Sequence, residues 1–458
     1  MTTDHPEQTE EPPEPTVREI DLDEALGLAV ECQRNGRFGD AGSLYRKILE
    51  LVPGHPAATH YSGILEQQQG RLEEATALLE KSLALDPTQA DWHANLAINL
   101  QARDMFDEAI AACRRAVEID PGHANALSNL GALLRAKGRV EEAEEAYRAA
   151  IRLNPDHIAA YMNLGILLAA QHRTQEAVWC YCKVTTLNAH YPPARRMLAL
   201  AHIMVGEVDK ARRIYEETLA QDPDDPVARH MLAACSGADM PARASNACVS
   251  TLFDGFAANF ETRLAQLDYR APALVEAMLA ASGVRAEKAL DVLDAGCGTG
   301  LCGKLLSPYA RRLTGVDLST GMLQLAAQKG VYDELFHGEL TAYLRANPGQ
   351  FDVIVSADTL VYFGALEEVA SAAAAALRED GRLIFTVEEW TDAEEHDEFT
   401  LKPLGRYVHS QRYVERAMRD VGLVPRVDRS ELRLEGGAPV PGLVVCATKA
   451  AGGGVSHA

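Results

Sequence analysis

A short glycine-rich segment carries the residues with the clearest chemical potential in this chain. Residues 293–300 read Leu-Asp-Ala-Gly-Cys-Gly-Thr-Gly; they follow the apolar run 289–292 and precede a helix-prone stretch at 301–306. Glycine has no Cβ, so its backbone can approach a bound molecule more closely than any other residue can. Strand, glycine turn and helix in this order predict a loop that holds a small ligand. Asp294 adds a carboxylate at the mouth of the loop.

That carboxylate favours one class of ligand. Gly298, Gly300 and Gly303 also fit the G-x-G-x-x-G pattern of dinucleotide sites. Asp294 would repel a pyrophosphate, whereas it would attract the ammonium and sulfonium groups of S-adenosylmethionine. Asp317 ends the next apolar run, where an acid that accepts two ribose hydroxyls is expected with either ligand. We therefore predict an S-adenosylmethionine site, with a dinucleotide site or a purely structural glycine turn as the alternatives.

Alternating strands and helices are predicted to position this loop. Apolar strands are expected at 289–294, 312–317, 334–337, 351–356 and 382–388, with helices between them. Such alternation predicts a largely parallel, Rossmann-like doubly wound sheet. A last helix at 411–421 precedes two strands, at about 424–434 and 442–448, which are expected to form an antiparallel C-terminal hairpin.

The first half of the chain is an internal repeat. Prolines fall at 53, 87, 121, 155 and 223, so each interval is 34 residues or a multiple of 34. A small residue precedes each proline position by twelve and again by twenty-four, and an aromatic or apolar residue precedes it by eight. The pattern resembles the tetratricopeptide repeat, with six units from about 22 to 223 and a closing helix at 227–234. It predicts an all-α superhelix of helical hairpins.

The second half resembles class I S-adenosylmethionine-dependent methyltransferases from about residue 250 to 448. Besides the glycine loop, the resemblance rests on the motifs at 252–257, 315–319, 356–362 and 405–410. The order of the two halves is similar to a bacterial family of tetratricopeptide-containing methyltransferases. We expect a disordered acidic tail at 1–21, the repeats at 22–235, a linker at 236–248, the methyltransferase domain at 249–449 and a disordered tail at 450–458.

The resemblance implies a set of donor-binding residues. The amino-acid end of the donor would lie on the loop, and Asp317 would accept the ribose hydroxyls, unless it caps the helix that starts near Ser319. Met322 would pack on the adenine or belong to the core, and Glu339 would bind the adenine amine or be a surface acid. The full set is Asp294, Gly296, Cys297, Gly298, Thr299, Gly300, Asp317, Leu318, Met322, Glu339, Leu340, Ser356 and Ala357.

Three residues are candidates for a catalytic role. Displacement at a sulfonium methyl requires a general base only when the acceptor is protonated. His409, Asp358 and Tyr407 are the candidates, and His409 titrates in a suitable range, although the motif at 405–410 could be purely structural. The fourth strand lacks the Asn-Pro-Pro-Tyr motif of enzymes that methylate planar NH2 groups. Phe253, Phe256 and Phe260 could cover the site or face the core.

The repeats are predicted to bind a protein or peptide. Asn95, Asn129 and Asn163 share one position in three successive units, and a row of amides can pair with an extended backbone, although asparagine could simply be common there. A net charge of −22 argues against nucleic acid as the main partner. We expect no membrane span and no metal site. The absence of a secretory signal and of C-x-x-C pairs predicts a cytoplasmic protein.

Three hypotheses remain open at this point. In the first, a methyltransferase uses its repeats to recruit a protein as substrate or scaffold. In the second, the acceptor is a small molecule and the repeats serve only assembly. In the third, the chain is a repeat scaffold whose donor-binding domain no longer catalyses, which the intact loop, Asp294 and Asp317 argue against.

Overall fold

The computed structural model describes residues 21–257 and 260–450. Apart from Asp21 and Ala450, the two predicted tails lie outside these ranges. The chain divides into two compact units, Met1–Ala170 with Trp179–Ala189, and Gln171–Val178 with His190–Ala458. Within the described residues, no helix is long and apolar enough to cross a membrane.

The described part of the repeat half is entirely helical. Consecutive helices pack as antiparallel hairpins, as the pairs α1–α2, α3–α4, α5–α6, α7–α8 and α11–α12 show. The helices are α1 Leu22–Arg34, α2 Phe38–Leu51, α3 Pro56–Gln68, α4 Leu72–Leu85, α5 Ala90–Ala102, α6 Phe106–Ile119, α7 Ala124–Ala136, α8 Val140–Leu153, α9 Ile158–Ala170, α10 Thr174–Leu187, α11 Pro192–Met204, α12 Val208–Gln221 and α13 Pro226–Ser236.

The residues that recur with the 34-residue period occupy packed positions. The small residues twelve positions before each proline position are fully buried, and Tyr147 fills the space beside the backbone of Gly131. His55 and His123 each accept a hydrogen bond at Nδ1 from the backbone N–H three residues later. These histidines therefore cap helix starts, and the predicted all-α repeat region is confirmed.

A mixed sheet with flanking helices follows the repeats. Its strands are β1 Leu290–Ala295, β2 Ala310–Asp317, β3 Glu334–His337, β4 Phe351–Ser356, β5 Leu377–Glu389, β6 Phe399–Leu401, β7 Tyr407–His409, β8 Leu423–Glu435 and β9 Ala438–Lys449. The helices are α14 Asn246–Phe256, α15 Phe260–Gln266, α16 Ala271–Ala281, α17 Gly303–Leu306, α18 Thr320–Gln328, α19 Leu340–Ala346, α20 Glu367–Ala376 and α21 Gln411–Asp420.

The strand order is β3-β2-β1-β4-β5-β7-β6, with β9 antiparallel to β5 and β8 antiparallel to β9. Strands β1 to β5 pair in parallel, so the predicted Rossmann-like sheet with an antiparallel C-terminal hairpin is confirmed. The strand order reverses between β1 and β4, and ligands of such sheets bind at this point, beyond the carboxyl ends of the strands.

The motif at 405–410 contains a short strand of the sheet. Tyr407–His409 form β7, which pairs with β6 and with the last two residues of β5. Two chain segments pack against this region. The Nε2–H of His230 in α13 donates to the carbonyl of Gly405 at 2.8 Å, and the hydroxyl of Tyr407 donates to the carbonyl of Pro241 at 2.7 Å.

The contact between Gly131 and Tyr147 gives a stability prediction. A Cβ at Gly131 would lie 2.7 Å from the ring of Tyr147, which is fully buried. We expect Gly131→Ala to destabilise the repeats by about 1–3 kcal/mol, because the ring must move in a packed interface. The measurement is the urea midpoint of the far-ultraviolet circular dichroism signal.

Gly27→Ala is the matched control. A Cβ at Gly27 in α1 would meet nothing within 4 Å. Since alanine is the better helix former, this change should stabilise the protein by roughly 0.5–1 kcal/mol. Equal midpoints for the two variants would contradict the packing account.

Candidate functional site

A cavity of about 290 Å³ lies where the strand order reverses, beyond the ends of β1, β2 and β4. Eleven of the thirteen residues that the sequence assigns to the donor line this cavity: Asp294, Gly296, Cys297, Gly298, Thr299, Asp317, Leu318, Met322, Glu339, Leu340 and Ala357. Gly300 and Ser356 lie outside the lining. The hydroxyl of Ser356 instead donates to the carbonyl of Ala295 at 3.0 Å, joining β4 to β1.

The glycine loop has the backbone that its sequence predicts. Gly296 and Gly298 have positive φ angles of 77° and 53°. A Cβ on Gly296 would collide with the side chain of Thr359, while a Cβ on Gly298 would meet only Phe260, at 4.0 Å. Glycine is therefore required at position 296 both by the positive φ and by the contact with Thr359. At position 298 it is required by the positive φ alone, and the space beside it is open toward the cavity.

Asp294 is a buried carboxylate on the cavity surface. Its side chain is 1 % exposed, and the hydroxyl of Tyr332 donates to Oδ2 at 2.7 Å. Burial raises the pKa of Asp294 to about 7, and the nearby charge of Asp317 acts in the same direction. A carboxylate held in this way gains strongly from a cation that binds beside it.

Asp317 joins the glycine loop to the end of β2. Its Oδ2 accepts the N–H of Gly298 and its Oδ1 accepts the N–H of Ser319, both at 2.8 Å. The helix cap of α18 is Ser319, whose hydroxyl accepts the N–H of Met322 at 3.1 Å. Ser319, rather than Asp317, is therefore the cap of α18. Each oxygen of Asp317 keeps a second lone pair for a ligand hydroxyl.

Glu339 has a structural role in addition to its place at the cavity. Its two oxygens accept the N–H groups of Thr341 and Ala342 at 2.9 and 2.7 Å and so cap α19. Arg243, from the segment before α14, donates to Oε1 at 3.1 Å. Glu339 is therefore an N-cap paired with a guanidinium rather than an isolated surface acid.

His409 and Tyr407 do not reach the cavity. Both are fully buried; His409 donates from Nε2 to the carbonyl of Gly364 at 3.1 Å and stacks on Tyr413 with ring centroids 6.0 Å apart. Burial lowers the pKa of His409 to about 4. We correct the expectation of a catalytic base at these two positions, because each side chain is held in the packing around β7 and away from the ligand space.

Asp358 is the catalytic candidate that lines the cavity. Its backbone has a positive φ of 57°, and its N–H donates to the hydroxyl of Thr386 at 2.8 Å. Arg433 donates to Oδ2 at 2.8 Å, while Oδ1 is buried without a hydrogen-bond partner among the described residues. Burial raises the pKa of Asp358.

Asp358 belongs to a charged cluster that sequence reasoning missed. Arg433 also pairs with Glu388, and Arg406 pairs with both Glu388 and Glu435 at 2.6 and 2.5 Å. We call Asp358, Glu388, Arg406, Arg433 and Glu435 the charged cluster. In the sequence these charges look like the solvated face of a loop and a hairpin, and no local pattern marks Arg433 as 4 % exposed.

Four apolar side chains form a wall of the cavity. We call Phe253, Phe260, Leu264 and Leu267, all of which line the cavity, the apolar wall. The hydroxyl of Ser319 donates to Asp254 at 2.5 Å, and the backbone N–H of Leu434 donates to Leu267 at 2.6 Å. These bonds attach the wall to both ends of the site. The side chain of Phe256, the third phenylalanine of the motif, lies outside the described part of the chain.

The asparagines of the repeats are partly buried on α5, α7 and α9. The Nδ2 of Asn95 lies 3.1 Å from the Nε2 of His60, whose ring stacks on Trp92 at 4.6 Å. Burial lowers the pKa of His60 to about 4, so the ring is neutral at pH 7 and its Nε2 can accept from the Asn95 amide. The three asparagines are thus not equivalent, since the amide of Asn95 already contacts His60 of the preceding repeat.

Comparison with known proteins matches both halves of the chain. The family described as "Methyltransferase domain" matches residues 293–385. Families described as "Tetratricopeptide repeat" match residues 34–98, 88–156, 122–188 and 192–235. The methyltransferase match begins at the glycine loop and ends within β5.

Individual relatives cover smaller parts. The ubiquinone biosynthesis O-methyltransferase of Pectobacterium carotovorum is 26 % identical over 151 residues, which is 31 % of this chain and 62 % of that protein. Human methyltransferase-like protein 27 is 37 % identical over 106 residues, which is 22 % of this chain and 43 % of the relative. The chain therefore spans less than two thirds of the length of these curated relatives.

Similar solved structures include Pseudomonas aeruginosa pilF, with 18 % identity, a TM-score of 0.41, and coverage of 44 % of this chain and 93 % of that one. MamA from Desulfovibrio magneticus RS-1 is 20 % identical, with a TM-score of 0.34 and coverage of 37 % of this chain and 95 % of that one.

The raised pKa of Asp294 predicts pH-dependent binding of S-adenosylmethionine. Above pH 7 the carboxylate is ionised and attracts the ammonium of the ligand, whereas below its pKa of about 7 it is neutral. We expect affinity to fall by up to roughly tenfold per pH unit below 7, as for any ligand coupled to the loss of one proton. Calorimetry from pH 8 to pH 5 measures this slope.

Asp294→Asn is the control for the pH dependence. It should bind weakly at pH 8 and show a much flatter profile, because the titrating group is gone. A wild-type affinity that does not change between pH 8 and pH 5 would show that Asp294 does not contact the ammonium.

Proposed function

We propose that this chain, in which tetratricopeptide repeats precede a domain of the class I methyltransferase type, transfers a methyl group from S-adenosylmethionine to an acceptor brought by the repeats. The observation that carries the proposal is the joint placement of Asp294 and Asp317 on one glycine-lined cavity. Both families match in the order of the two halves, and curated methyltransferases are similar to part of the chain.

The residues present fit this donor. The unblocked backbone at Gly298 leaves room for a ligand, and Asp294 offers a carboxylate to its ammonium. Asp317 offers two oxygens to the ribose hydroxyls while its other lone pairs hold the loop. Leu318 and Met322 supply apolar surface for the adenine, and Glu339 lies at the same end of the cavity.

When bound, the donor supplies an electrophilic methyl group on a positively charged sulfur. The leaving sulfur is neutral, so the contribution of the protein is mainly orientation and the exclusion of water. The apolar wall excludes water from one side, and the loop with Asp317 fixes the position of the donor. Asp358 is the group that we propose to hold a proton released by the acceptor, because Asp358 lines the cavity and its Oδ1 has no hydrogen-bond partner among the described residues.

Loss of the Asp317 carboxylate should weaken donor binding. We expect Asp317→Asn to cost about 1–3 kcal/mol, the range for hydrogen bonds to a charged group. Calorimetric titration with S-adenosylmethionine measures the loss, and NAD is the competing ligand in a parallel titration. The matched control is Asp420→Asn, an exposed aspartate at the end of α21, which should bind as the wild type does. Binding of NAD that equals binding of S-adenosylmethionine would refute the assignment.

For the repeats we propose that they hold a protein, which is either the substrate or a scaffold for it. The three asparagines of α5, α7 and α9 are the proposed contact residues, because their amides can pair with an extended backbone. Since the named relatives include a ubiquinone biosynthesis enzyme, a small-molecule acceptor is the competing proposal. The two differ in where a labelled methyl group ends up.

The asparagine contacts can be tested with tritiated donor and a cell extract that is then separated by size. We expect label in the protein fraction with the wild type, and about a tenfold loss or more when Asn129→Ala and Asn163→Ala are combined, because several backbone hydrogen bonds are lost together. The triple variant with Asn95→Ala should lose no less. Asn35→Ala, an exposed asparagine at the end of α1, is the control.

Label that appears only in small molecules would favour the competing proposal. Unchanged protein labelling by the double variant would exclude the asparagines as contact residues. Donor affinity, measured for each variant, shows whether the second half of the chain is intact.

We also propose that the boundary between the halves lies at 236–248 and that the protein is cytoplasmic. Free thiols at Cys297 and Cys302 in the glycine loop are compatible with a reducing compartment.

A further inference from the structure

We propose that the methyl acceptor is an amine, which binds as an ammonium beside the free oxygen of Asp358. This inference rests on the proposed function and specifies the chemistry of its second substrate. It is drawn from the charged cluster and from the aromatic rings at the same end of the cavity.

The net charge of the charged cluster favours a positively charged acceptor. The charged cluster contains three carboxylates, of Asp358, Glu388 and Glu435, and two guanidiniums, of Arg406 and Arg433. Both guanidiniums are already shared between two carboxylates each. With all three carboxylates ionised, the cluster therefore carries one excess negative charge, which stabilises a cation at this end of the cavity and repels an anion.

The negative charge of Asp358 is only partly compensated by hydrogen bonds. Arg433 occupies Oδ2 of Asp358, and Oδ1 is buried with no hydrogen bond from any described residue. The side chain of Arg433 is only 4 % exposed, so it cannot readily move to cover the second oxygen. A buried acceptor without a donor is costly, and an N–H or O–H group of a ligand would satisfy it.

Aromatic rings near Asp358 favour an amine over an alcohol. Tyr269, Tyr362 and Phe253 line the same cavity, and the charge of Asp358 acts on the hydroxyls of both tyrosines. The rings of Phe253 and Tyr362 meet edge to face with centroids 5.5 Å apart. Aromatic faces attract a cation in addition to the carboxylate, whereas a neutral hydroxyl gains only the hydrogen bond.

The reaction balances with Asp358 as the proton acceptor. The bound ammonium gives one proton to Oδ1, which frees the nitrogen lone pair. That pair forms the new N–C bond to the donor methyl as the C–S bond breaks, and the electrons of the broken bond stay on sulfur. The product is a methylated ammonium and a neutral thioether, and Asp358 then returns its proton to solvent.

The test uses three small probes of equal length: n-butylamine, n-butanol and n-butyrate. Their binding to the full-length protein, saturated with the demethylated donor S-adenosylhomocysteine, is measured by ligand-observed NMR at pH 7. We expect n-butylamine to bind at least about tenfold more tightly than n-butanol, the scale of one charged hydrogen bond, and n-butyrate to bind least.

Asp358→Asn should remove the preference for the amine while leaving the affinity for S-adenosylhomocysteine unchanged. Asparagine tolerates the positive φ of this position, so the loop should keep its conformation. The matched control is Asp380→Asn, an exposed aspartate with a φ of 59°, which should keep the preference.

The outcomes separate two kinds of failure. If n-butanol or n-butyrate binds as well as n-butylamine, or if Asp358→Asn keeps the preference for the amine, the acceptor assignment is overturned. If S-adenosylhomocysteine itself does not bind to the wild type, the proposed function fails instead.

Discussion

The two hydrogen bonds from Gly298 and Ser319 to the carboxylate of Asp317 are the interaction on which the site depends. They connect the glycine loop after β1 to the turn after β2, so the two strand ends keep a fixed separation. Because the bonds use backbone donors, the position of the carboxylate is set by the sheet rather than by flexible side chains. A ligand that bridges Asp294 and Asp317 thus meets a preorganised surface.

Several aspartates around the cavity are buried, and their burial determines the electrostatics of the cavity. Asp294, Asp317 and Asp358 all have raised pKa values, and burial is the main cause in each case. Each carboxylate is held by donors from another part of the chain: Tyr332 for Asp294, backbone N–H groups for Asp317 and Arg433 for Asp358. Buried carboxylates of this kind favour cations, and this preference is shared by the region of Asp294 and Asp317 and by the charged cluster.

The lining of the cavity around Tyr362 is built from distant parts of one compact unit. Backbone N–H groups of Gly364 and Ala365 donate to Ala242, and the N–H of Ala244 donates to Tyr362, which lines the cavity. The segment that precedes α14 therefore forms part of the cavity lining, and α13 packs on Gly405 and Tyr407. This packing explains why the motif at 405–410 is buried, and why His409 supports the fold instead of meeting the ligand.

The sequence alone predicts the features that depend on residues close together in the chain. The 34-residue phase fixes which faces of the repeat helices are small or apolar, and the strand–glycine–helix order fixes the loop with Asp294 and Gly296, so both were predictable from the sequence. The charged cluster was not, because Asp358 and Arg433 are 75 residues apart, and they come together only because β8 pairs with β9 and β9 in turn pairs with β5. The sequence offers His409 as a base by its residue type, but burial decides its pKa and its partner, and only the tertiary structure decides burial.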